Sequence, residues 1–232
     1  MKNLGEEFVW FFGVVEDRND PLQLGRVRVR CYGWHTEVKN QVPTEDLPWA
    51  QPMQPITSAA MGDIGRSPTG LVEGSWVVGF FMDGKDAQRP IIMGSIAGIP
   101  TQAVDTTKGF NDPNGTYPNR LNEPDVDQRA RGTNNITKTL PDGFPADPYA
   151  AVYPKNHTYR SESGHLIEFD DSPGSERVHI YHKSGTFLEI YPNGDVVINA
   201  NNIYQYAKGD VIWKVDGNID ITANRIDFNK DS

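Results

Sequence analysis

The chain has 232 residues, a formal net charge of -9, and 37% hydrophobic and 23% charged residues. This composition is typical of a folded globular protein and not of a disordered chain. The acidic balance disfavours binding of nucleic acid, because neutralising phosphates requires clustered Lys and Arg side chains. Cys31 is the only cysteine, which excludes an intrachain disulfide and a cysteine-based metal cluster.

Residues 1–100 have the pattern of a compact β domain. Runs rich in strand-forming residues, FVWFFGVVED, GRVRVRC, GSWVVGFF and RPIIMGSI, are separated by turns that contain Gly, Asn, Asp or Pro. None of these runs has a helical period, and we predict a five-stranded barrel of the OB type. The intervening segment LPWAQPMQPITSAAM contains prolines that disfavour a central strand, so we expect it to lie extended over the surface.

One of these runs alternates between apolar residues and arginines. Its two sets are Val27, Val29 and Cys31 on one side and Arg26, Arg28 and Arg30 on the other. Because the side chains of a strand alternate between its faces, the apolar set is predicted to line the barrel and the arginines to lie on its outer face. Such a face suits contact with another protein or with single-stranded nucleic acid, and the acidic net charge favours the protein.

Residues 101–152 differ in composition from the regions on either side. Stretches such as FNDPNGTYPNRLNEPDVDQ and LPDGFPADPYAAVYP are rich in Pro, Asn, Asp and Gly and poor in apolar residues. This composition is typical of a linker and not of a second core. We expect the segment to be extended and exposed.

The third region, residues 153–232, has the pattern of short strands and ends in a repeat of roughly eight residues. After each of Gly194, Gly209 and Gly217, apolar or small residues stand two, four and six positions further on. The large apolar residues at these positions are Val196, Ile198, Val211, Trp213, Val215, Ile219 and Ile221. Three chains wound around one axis would bury this set as a trimer core and close every strand edge, so we predict a homotrimeric β-helix. A monomeric β-sandwich and a single-chain β-solenoid are the alternatives.

Several stretches resemble a known family. FFGVVEDRNDPLQLGRVRVRCYGWH, GLVEGSWVVGFFMDG and GFNDPNGTYPNR resemble the N-terminal domain of T4-type phage baseplate central spike proteins. ESGHLIEFDDSPGSERVHIYHKSGTFLEIYPNGDVV resembles the spike segment that this family shares with VgrG proteins of type VI secretion. The resemblance implies an OB-fold domain docked on a trimeric hub protein, followed by a trimeric needle at the tip of a contractile tail. It favours contact of Arg26, Arg28 and Arg30 with the hub or with the adjacent barrel.

The chain departs from T4-type proteins between barrel and needle. Those proteins carry a lysozyme domain there, whereas residues 101–152 of this chain are too few and too polar for such a domain. Glu162 and Asp171 have the spacing of a lysozyme-family carboxylate pair, but both stand in a strand-and-turn sequence, and Arg177 replaces the next residue of that motif, a threonine. We therefore predict no catalytic residues and no enzymatic activity. A diverged tail-associated cell-wall hydrolase is the alternative.

No metal ion or other cofactor is predicted. His179 and His182 are three residues apart on a strand, which points them to opposite faces and leaves a metal site incomplete. Some short phage spikes end in a His-X-His iron site, but the final residues RIDFNKDS contain no histidine. The resemblance therefore implies a blunt needle end that needs a separate tip protein of the PAAR type.

Together these features predict a structural protein. It is expected to be the central spike of a contractile phage tail baseplate, assembled in the host cytoplasm, carried in the virion and entering the host envelope by mechanical puncture on infection. A VgrG-like spike of a secretion or extracellular injection system is the alternative with the same architecture.

Overall fold

The computed structural model describes residues 8–115, 120–145 and 148–228, and the regular secondary structure of these residues consists of β-strands and two single-turn 3₁₀ helices, Thr44–Asp46 and Gly84–Asp86. The strands are β1 (Val9–Asp17), β2 (Val27–Cys31), β3 (Trp49–Pro52), β4 (Trp76–Phe81), β5 (Pro90–Ile96), β6 (Asn156–Arg160), β7 (Leu166–Asp170), β8 (Arg177–Tyr181), β9 (Phe187–Ile190) and β10 (Val196–Asn199). Within these described ranges, no helix has the length and apolar character needed to cross a membrane. The prediction of an all-β chain is confirmed.

The first five strands close into a barrel in the order β1, β2, β3, β5, β4. The long strand β1 pairs with β2 on one side and with β4 on the other, and β3 runs parallel to β5. Inward side chains alternate along the strands and form one apolar core, which includes Phe11, Val29, Cys31, Val77 and Phe81. The predicted OB-type barrel is therefore confirmed, and the apolar set of β2 faces its interior as expected.

Strand β3 corrects one prediction. It pairs with β2 through Ala50 and with β5 through Gln51, so this segment is a central strand of the barrel and not a surface strap. The prolines allow the pairing because Pro48 precedes the strand and Pro52 ends it. Proline has no backbone N–H, and at the end of a strand this costs the sheet fewer hydrogen bonds than in its middle.

The linker forms no strand in its described part, 101–115, 120–145 and 148–152, and much of it is exposed as expected, but several of its residues are packed against the rest of the chain. Gly109 packs over Glu16 and Arg30 so closely that a Cβ atom there would lie 1.9 Å from the Glu16 carboxylate. Arg129 and Ile136 are buried further along the linker. Other large side chains of the linker, such as those of Leu121 and Phe144, are exposed. The packed residues nevertheless let the linker cover part of both the barrel and the C-terminal sheet.

Strands β6 to β10 form an antiparallel sheet in chain order. In the turns, Gly164 and Gly185 have φ angles of 94° and 93°, a conformation that glycine adopts without steric cost. Barrel and sheet meet at Arg18, whose guanidinium lies 3.2 Å from Glu73 of the barrel and 2.7 Å from Glu162 of the sheet region. This bridge joins the two β structures within one chain.

Residues 200–228 form no strand in the single chain, and the side chains of residues 201–228 are exposed. An alternating segment without partner strands in the described part of its own chain is compatible with a needle made by three chains. The trimeric β-helix nevertheless stays a prediction. The last residues of the expected tip, 229–232, lie outside the described residues, and the prediction of a PAAR-type tip protein lies there with them.

Candidate functional site

One face of the C-terminal sheet is apolar and exposed. At alternate positions of β6 to β10, large apolar side chains point away from the rest of the chain and are partly or fully accessible to solvent. This surface, the apolar sheet face, consists of Tyr159, Ile167, Phe169, Val178, Ile180, Leu188, Ile190, Val196 and Ile198. Monomeric soluble proteins rarely expose so large a contiguous apolar patch, and such patches mark interaction sites.

The strand register makes the apolar sheet face continuous. Side chains that are directly paired on neighbouring strands form two rows across the sheet. One row is Phe169, Val178, Ile190 and Val196, and the other is Tyr159, Ile167, Ile180, Leu188 and Ile198. Val196 and Ile198, two of the predicted trimer-core residues, end these rows on β10. The predicted core therefore begins on a surface that the folded sheet already presents.

The other predicted trimer-core residues follow the sheet in the chain. They are Val211, Trp213, Val215, Ile219 and Ile221, and in the single chain their exposure ranges from 49% for Val215 to 67% for Trp213. Ile212, which the repeat places on the opposite face, is 82% exposed. Burial of the trimer-core residues against other chains stays a prediction.

The opposite face of the sheet carries buried charged side chains. Arg129 of the linker and Glu168 of β7 are fully buried, with 2.6 Å between a guanidinium nitrogen and a carboxylate oxygen. Glu168 also accepts hydrogen bonds from Asn156 at 2.7 Å and from the Tyr149 hydroxyl at 3.2 Å, and a His179 ring nitrogen lies 3.3 Å away. A buried charge is tolerated when it is both paired and hydrogen-bonded, and Glu168 meets both conditions.

The pKa values of Glu168 and Tyr149 are shifted by burial and by their hydrogen-bonded partners. Burial alone would raise the pKa of Glu168, but the hydrogen bonds from His179, Arg129 and Asn156 and the Arg129 charge together outweigh burial and lower it to about 2. Burial is the main cause of the raised pKa of Tyr149. Near neutral pH the cluster therefore holds an ionised carboxylate and a neutral phenol, and neither is poised to exchange a proton.

A second buried anion extends this layer. Glu189 on β9 accepts a hydrogen bond of 3.0 Å from Arg177 on β8 and is paired with Lys138 of the linker. The Tyr149 ring lies 3.9 Å from the Arg129 guanidinium. The charged layer is defined as Arg129, Lys138, Tyr149, Asn156, Glu168, Arg177, His179 and Glu189. Because linker cations neutralise sheet anions, the polar face of the sheet is the buried one.

Arg30 is not on the exposed outer face where it was predicted. Its side chain is fully buried and paired with Glu16, and it donates to the carbonyls of Thr36 and Val42 at 2.8 and 2.7 Å. Alternation along β2 points Arg30 away from the barrel core, but the following loop and Gly109 of the linker cover that side. A buried side chain cannot contact a hub protein or a neighbouring barrel, so the prediction is wrong for Arg30.

Arg26 and Arg28 are partly exposed and also have partners within the barrel domain. Arg26 lies 2.6 Å from Asp20, and its hydrogen bonds are the main cause of the lowered pKa of the Asp20 carboxyl. Arg28 donates to the carbonyl of Glu45 at 2.5 Å and lies 4.5 Å from the Trp49 ring centroid. These contacts explain both arginines without an external partner, and their contact with a hub stays a prediction.

The two carboxylates considered for catalysis are not brought together. Glu162 follows β6 and Asp171 follows β7, and the pairing of Arg160 with Leu166 and of Asn156 with Asp170 places them at opposite ends of this hairpin. At roughly 3.3 Å per residue, their separation along the strands is at least roughly 13 Å. Glycosidase carboxylates lie roughly 5 to 9.5 Å apart, so Glu162 and Asp171 do not form such a pair.

The histidines considered as metal ligands have other partners. His179 is buried beside Glu168, whereas the His182 ring accepts a hydrogen bond from the Ser184 backbone and packs against His165 with 4.3 Å between ring centroids. In the ranges that the structure describes, no group of three or more His, Cys, Asp or Glu side chains is arranged to hold a metal ion.

Most of the apolar sheet face and all of the charged layer were not predicted from the sequence. Their signal is present in LIEFD, RVHIY and FLEI, where apolar residues alternate with Glu, Asp, His or Arg. Alternation predicts two different faces, but apolar residues are expected inside by default, which here selects the wrong face. Arg129 and Lys138, which bury the charged face, stand in a segment that was expected to be exposed.

Comparison with known proteins gives consistent matches. Residues 33–149 match the family described as the Gp5 N-terminal OB domain. Protein Gp5 of Vibrio phage KVP40 is 39% identical over 270 aligned positions, which cover 93% of this chain and 63% of that protein. The pre-baseplate central spike protein Gp5 of Enterobacteria phage T4 is 49% identical over 126 residues, which cover 52% of this chain and 22% of that protein. The chain thus spans less than two thirds of the length of either relative.

Proposed function

Because the chain belongs to the Gp5 family of phage baseplate proteins, we propose that it is the structural central spike of a contractile phage tail. Three copies associate through the apolar sheet face and the alternating segment that follows it. The resulting needle punctures the host cell envelope, the barrels attach it to a trimeric baseplate hub protein, and a PAAR-type protein caps its tip. Assembly takes place in the host cytoplasm, and the trimer is carried in the virion.

The apolar sheet face is the observation that supports this proposal. Its rows end on β10, and the large apolar residues of the final repeats continue the same alternation towards the C-terminus. Burying one large apolar side chain contributes about 1.5–3 kcal/mol relative to leaving it in water. Around a three-fold axis, each copy covers the apolar face of its neighbour, and strand edges meet other chains instead of water.

Mechanical force, and not bond cleavage, is the proposed mode of action. The linker connects the barrel to the sheet through direct contacts, because Gly109 packs on the barrel while Arg129 and Lys138 form ion pairs with residues of the sheet. Arg18 further bridges Glu73 and Glu162. These contacts attach the barrel firmly to the sheet, and a spike that passes mechanical force from the baseplate to its tip requires such an attachment.

A VgrG-like spike would share this architecture, and the phage relatives favour the tail over a secretion system. The alternative of a diverged hydrolase is not supported by Glu162 and Asp171, because these two carboxylates do not form a catalytic pair.

The mass of the protein in solution tests the proposal. Sedimentation or light scattering of the full chain should give three times 25.9 kDa. Ile180→Asp, on the apolar sheet face, should yield monomers or aggregates, whereas Lys183→Asp, in the exposed turn after β8, should leave the trimer intact. A stable monomer of the wild-type chain at micromolar concentration would overturn the proposal.

A further inference from the structure

The segment after the C-terminal sheet contains three repeats with a strict eight-residue spacing. They begin at Asn201, Gly209 and Gly217, and each places its inward residues two, four and six positions further on. The inward set is Ile203, Gln205, Ala207, Val211, Trp213, Val215, Ile219, Ile221 and Ala223. Eight of these side chains are aliphatic or aromatic, and the remaining one, Gln205, carries a carboxamide. Burying a carboxamide costs free energy unless it is hydrogen-bonded, so its presence in this set needs a reason other than packing.

The spacing places Gln205 on the inward side of its repeat. Eight positions later stands Trp213, and sixteen positions later stands Ile221. The opposite assignment would turn Tyr206 inward and, eight positions further on, Lys214 as well, because the side chains of a strand alternate between its faces. Three ammonium groups at one level of a dry core would repel one another at a high desolvation cost. Gln205 therefore belongs to the inner face of the repeats.

Regular repeats leave the alignment of three chains ambiguous. A chain that slips by one repeat brings its Ile203 to the level of Val211 in its neighbours and its Val211 to the level of Ile219, so aliphatic residues still meet aliphatic residues. The slip exchanges no inward residue for an outward one, because eight is an even number of residues. The apolar sheet face does not prevent it, since its two rows are apolar throughout and a short looped-out segment costs little free energy.

We propose that Gln205 sets the register in which three copies of this chain align. The role rests on the proposed function, a trimeric spike. In register, three Gln205 side chains meet at one level, and each carboxamide donates a hydrogen bond to one neighbour and accepts one from the other. Such a ring closes only when all three chains stand at the same height. The partner that this polar layer recognises is therefore the same layer of two further copies.

A slipped chain leaves carboxamides without suitable partners. Its own Gln205 would lie at the level of Trp213 in both neighbours, or beside Ile198 of β10 for a slip in the other direction. An indole offers one N–H and no acceptor, so the carboxamide N–H groups would stay unpaired. The other two Gln205 side chains would lose the third member of their ring. A buried polar group without a partner costs more than a satisfied pair gains, so the penalty falls on the wrong alignments. A single buried polar residue fixes the register of coiled coils for the same reason.

Trp213 is the second candidate for this role, because it is the largest residue of the inward set. A slip would bring its indole to the level of Ile221 or Gln205 in the neighbours. Apolar residues of different size repack against one another at modest cost, whereas an unpaired carboxamide has no such compensation. We therefore expect Trp213 to contribute stability to the trimer and Gln205 to determine its alignment.

Distances between spin labels, measured by pulsed EPR on the full chain, test the alignment. Cys31→Ala removes the natural thiol, and Lys214→Cys provides one labelled position per chain on the predicted outer face. With Gln205 in place, an in-register trimer has a single distance between labels by symmetry. Gln205→Leu should add a second, longer distance of comparable amplitude, while the mass stays that of a trimer and the melting temperature is unchanged or higher.

Two further variants in the labelled chain separate alignment from packing. Gln205→Asn keeps a carboxamide at this level and should keep the single distance. Trp213→Leu removes packing area from the core, so it should lower the melting temperature and also keep the single distance.

The remaining outcomes separate this role from the proposed function. A Gln205→Leu trimer that keeps the single distance would overturn the register role and leave the trimeric spike intact, and so would loss of the single distance in Trp213→Leu alone. Several distances in trimers that retain Gln205 would also overturn the register role. A chain with Gln205 that does not form trimers would overturn the proposed function and the register role together.

Discussion

The guanidinium of Arg129 lies 2.6 Å from the carboxylate of Glu168, and both side chains are completely buried. The two residues are 39 positions apart, one in the linker and the other in the second strand of the C-terminal sheet. This ion pair makes the linker a part of the sheet's fold. It also decides which face of the sheet is available for assembly.

Removing one partner of this pair should destabilise the sheet strongly. Arg129→Met leaves the Glu168 charge buried without its cation, which costs about 3–5 kcal/mol of unfolding free energy. Denaturant unfolding followed by far-UV circular dichroism measures the loss. Arg131→Met, a similar change at a partly exposed neighbour paired with Glu123, should cost less than about 1 kcal/mol. Equal losses in the two variants would contradict the structural role of the buried pair.

The stability of the sheet should depend on acid through Glu168. Its pKa is about 2 in the folded chain against an ordinary value of 4.5, so its contribution is fully present above pH 4.5 and is lost as the pH falls towards 2. Glu168→Gln lacks this contribution at every pH. The unfolding free energies of wild type and variant, measured in urea, should therefore differ most at pH 6 and converge between pH 4.5 and about 2. If the unfolding free energies of wild type and variant instead differ by the same amount at every pH, Glu168 does not cause the acid dependence of stability.

The sequence was sufficient to predict the barrel, because alternation along β1, β2, β4 and β5 is a local property. It was not sufficient for β3, whose pairing with two neighbours outweighs the prolines at its ends. The burial of Arg30 depends on a loop and on Gly109, which no local pattern specifies. The orientation of the C-terminal sheet depends on cations from the linker, and only tertiary contacts bring them to Glu168 and Glu189.

The faces of the final repeats can be tested by two neighbouring substitutions. Trp213→Asp should place three carboxylates together in a dry core, at a cost on the order of several kcal/mol each unless they bind protons. Asp at Lys214 should be tolerated, because an outward side chain meets water. The measurement is resistance of the trimer to SDS without boiling, or thermal melting. Equal losses, or a greater loss for Lys214→Asp, would show that inside and outside are assigned wrongly.

Cys31 should be inert in the native protein. It is fully buried on β2, and burial raises the pKa of its thiol to about 12, so almost no thiolate exists near pH 8. Titration with a disulfide reagent should detect no thiol until denaturant is added. Tyr32→Cys, at the exposed next position, should react as one thiol per chain under native conditions. Native wild type that reacts as fast as this variant would contradict the burial of Cys31.

Peptidoglycan should not be degraded by this protein. Neither wild type nor Glu162→Gln is expected to release soluble fragments, because Glu162 and Asp171 lie at opposite ends of their hairpin and Glu162 is bound by Arg18. The substitution should lower stability by less than about 1 kcal/mol, since the pair is partly exposed. Release that Glu162→Gln abolishes would show that a hydrolase is present.

The sheet's apolar face leads to an expectation about the order of events during synthesis. A newly made chain can bury its charged layer alone, since the linker precedes the sheet and is available at once. In the proposed trimer the opposite face is buried only when two further chains bind, so the rate of trimer formation should rise steeply with chain concentration. Late, abundant expression would then favour complete spikes, whereas scarce chains would remain exposed to proteolysis and aggregation for longer.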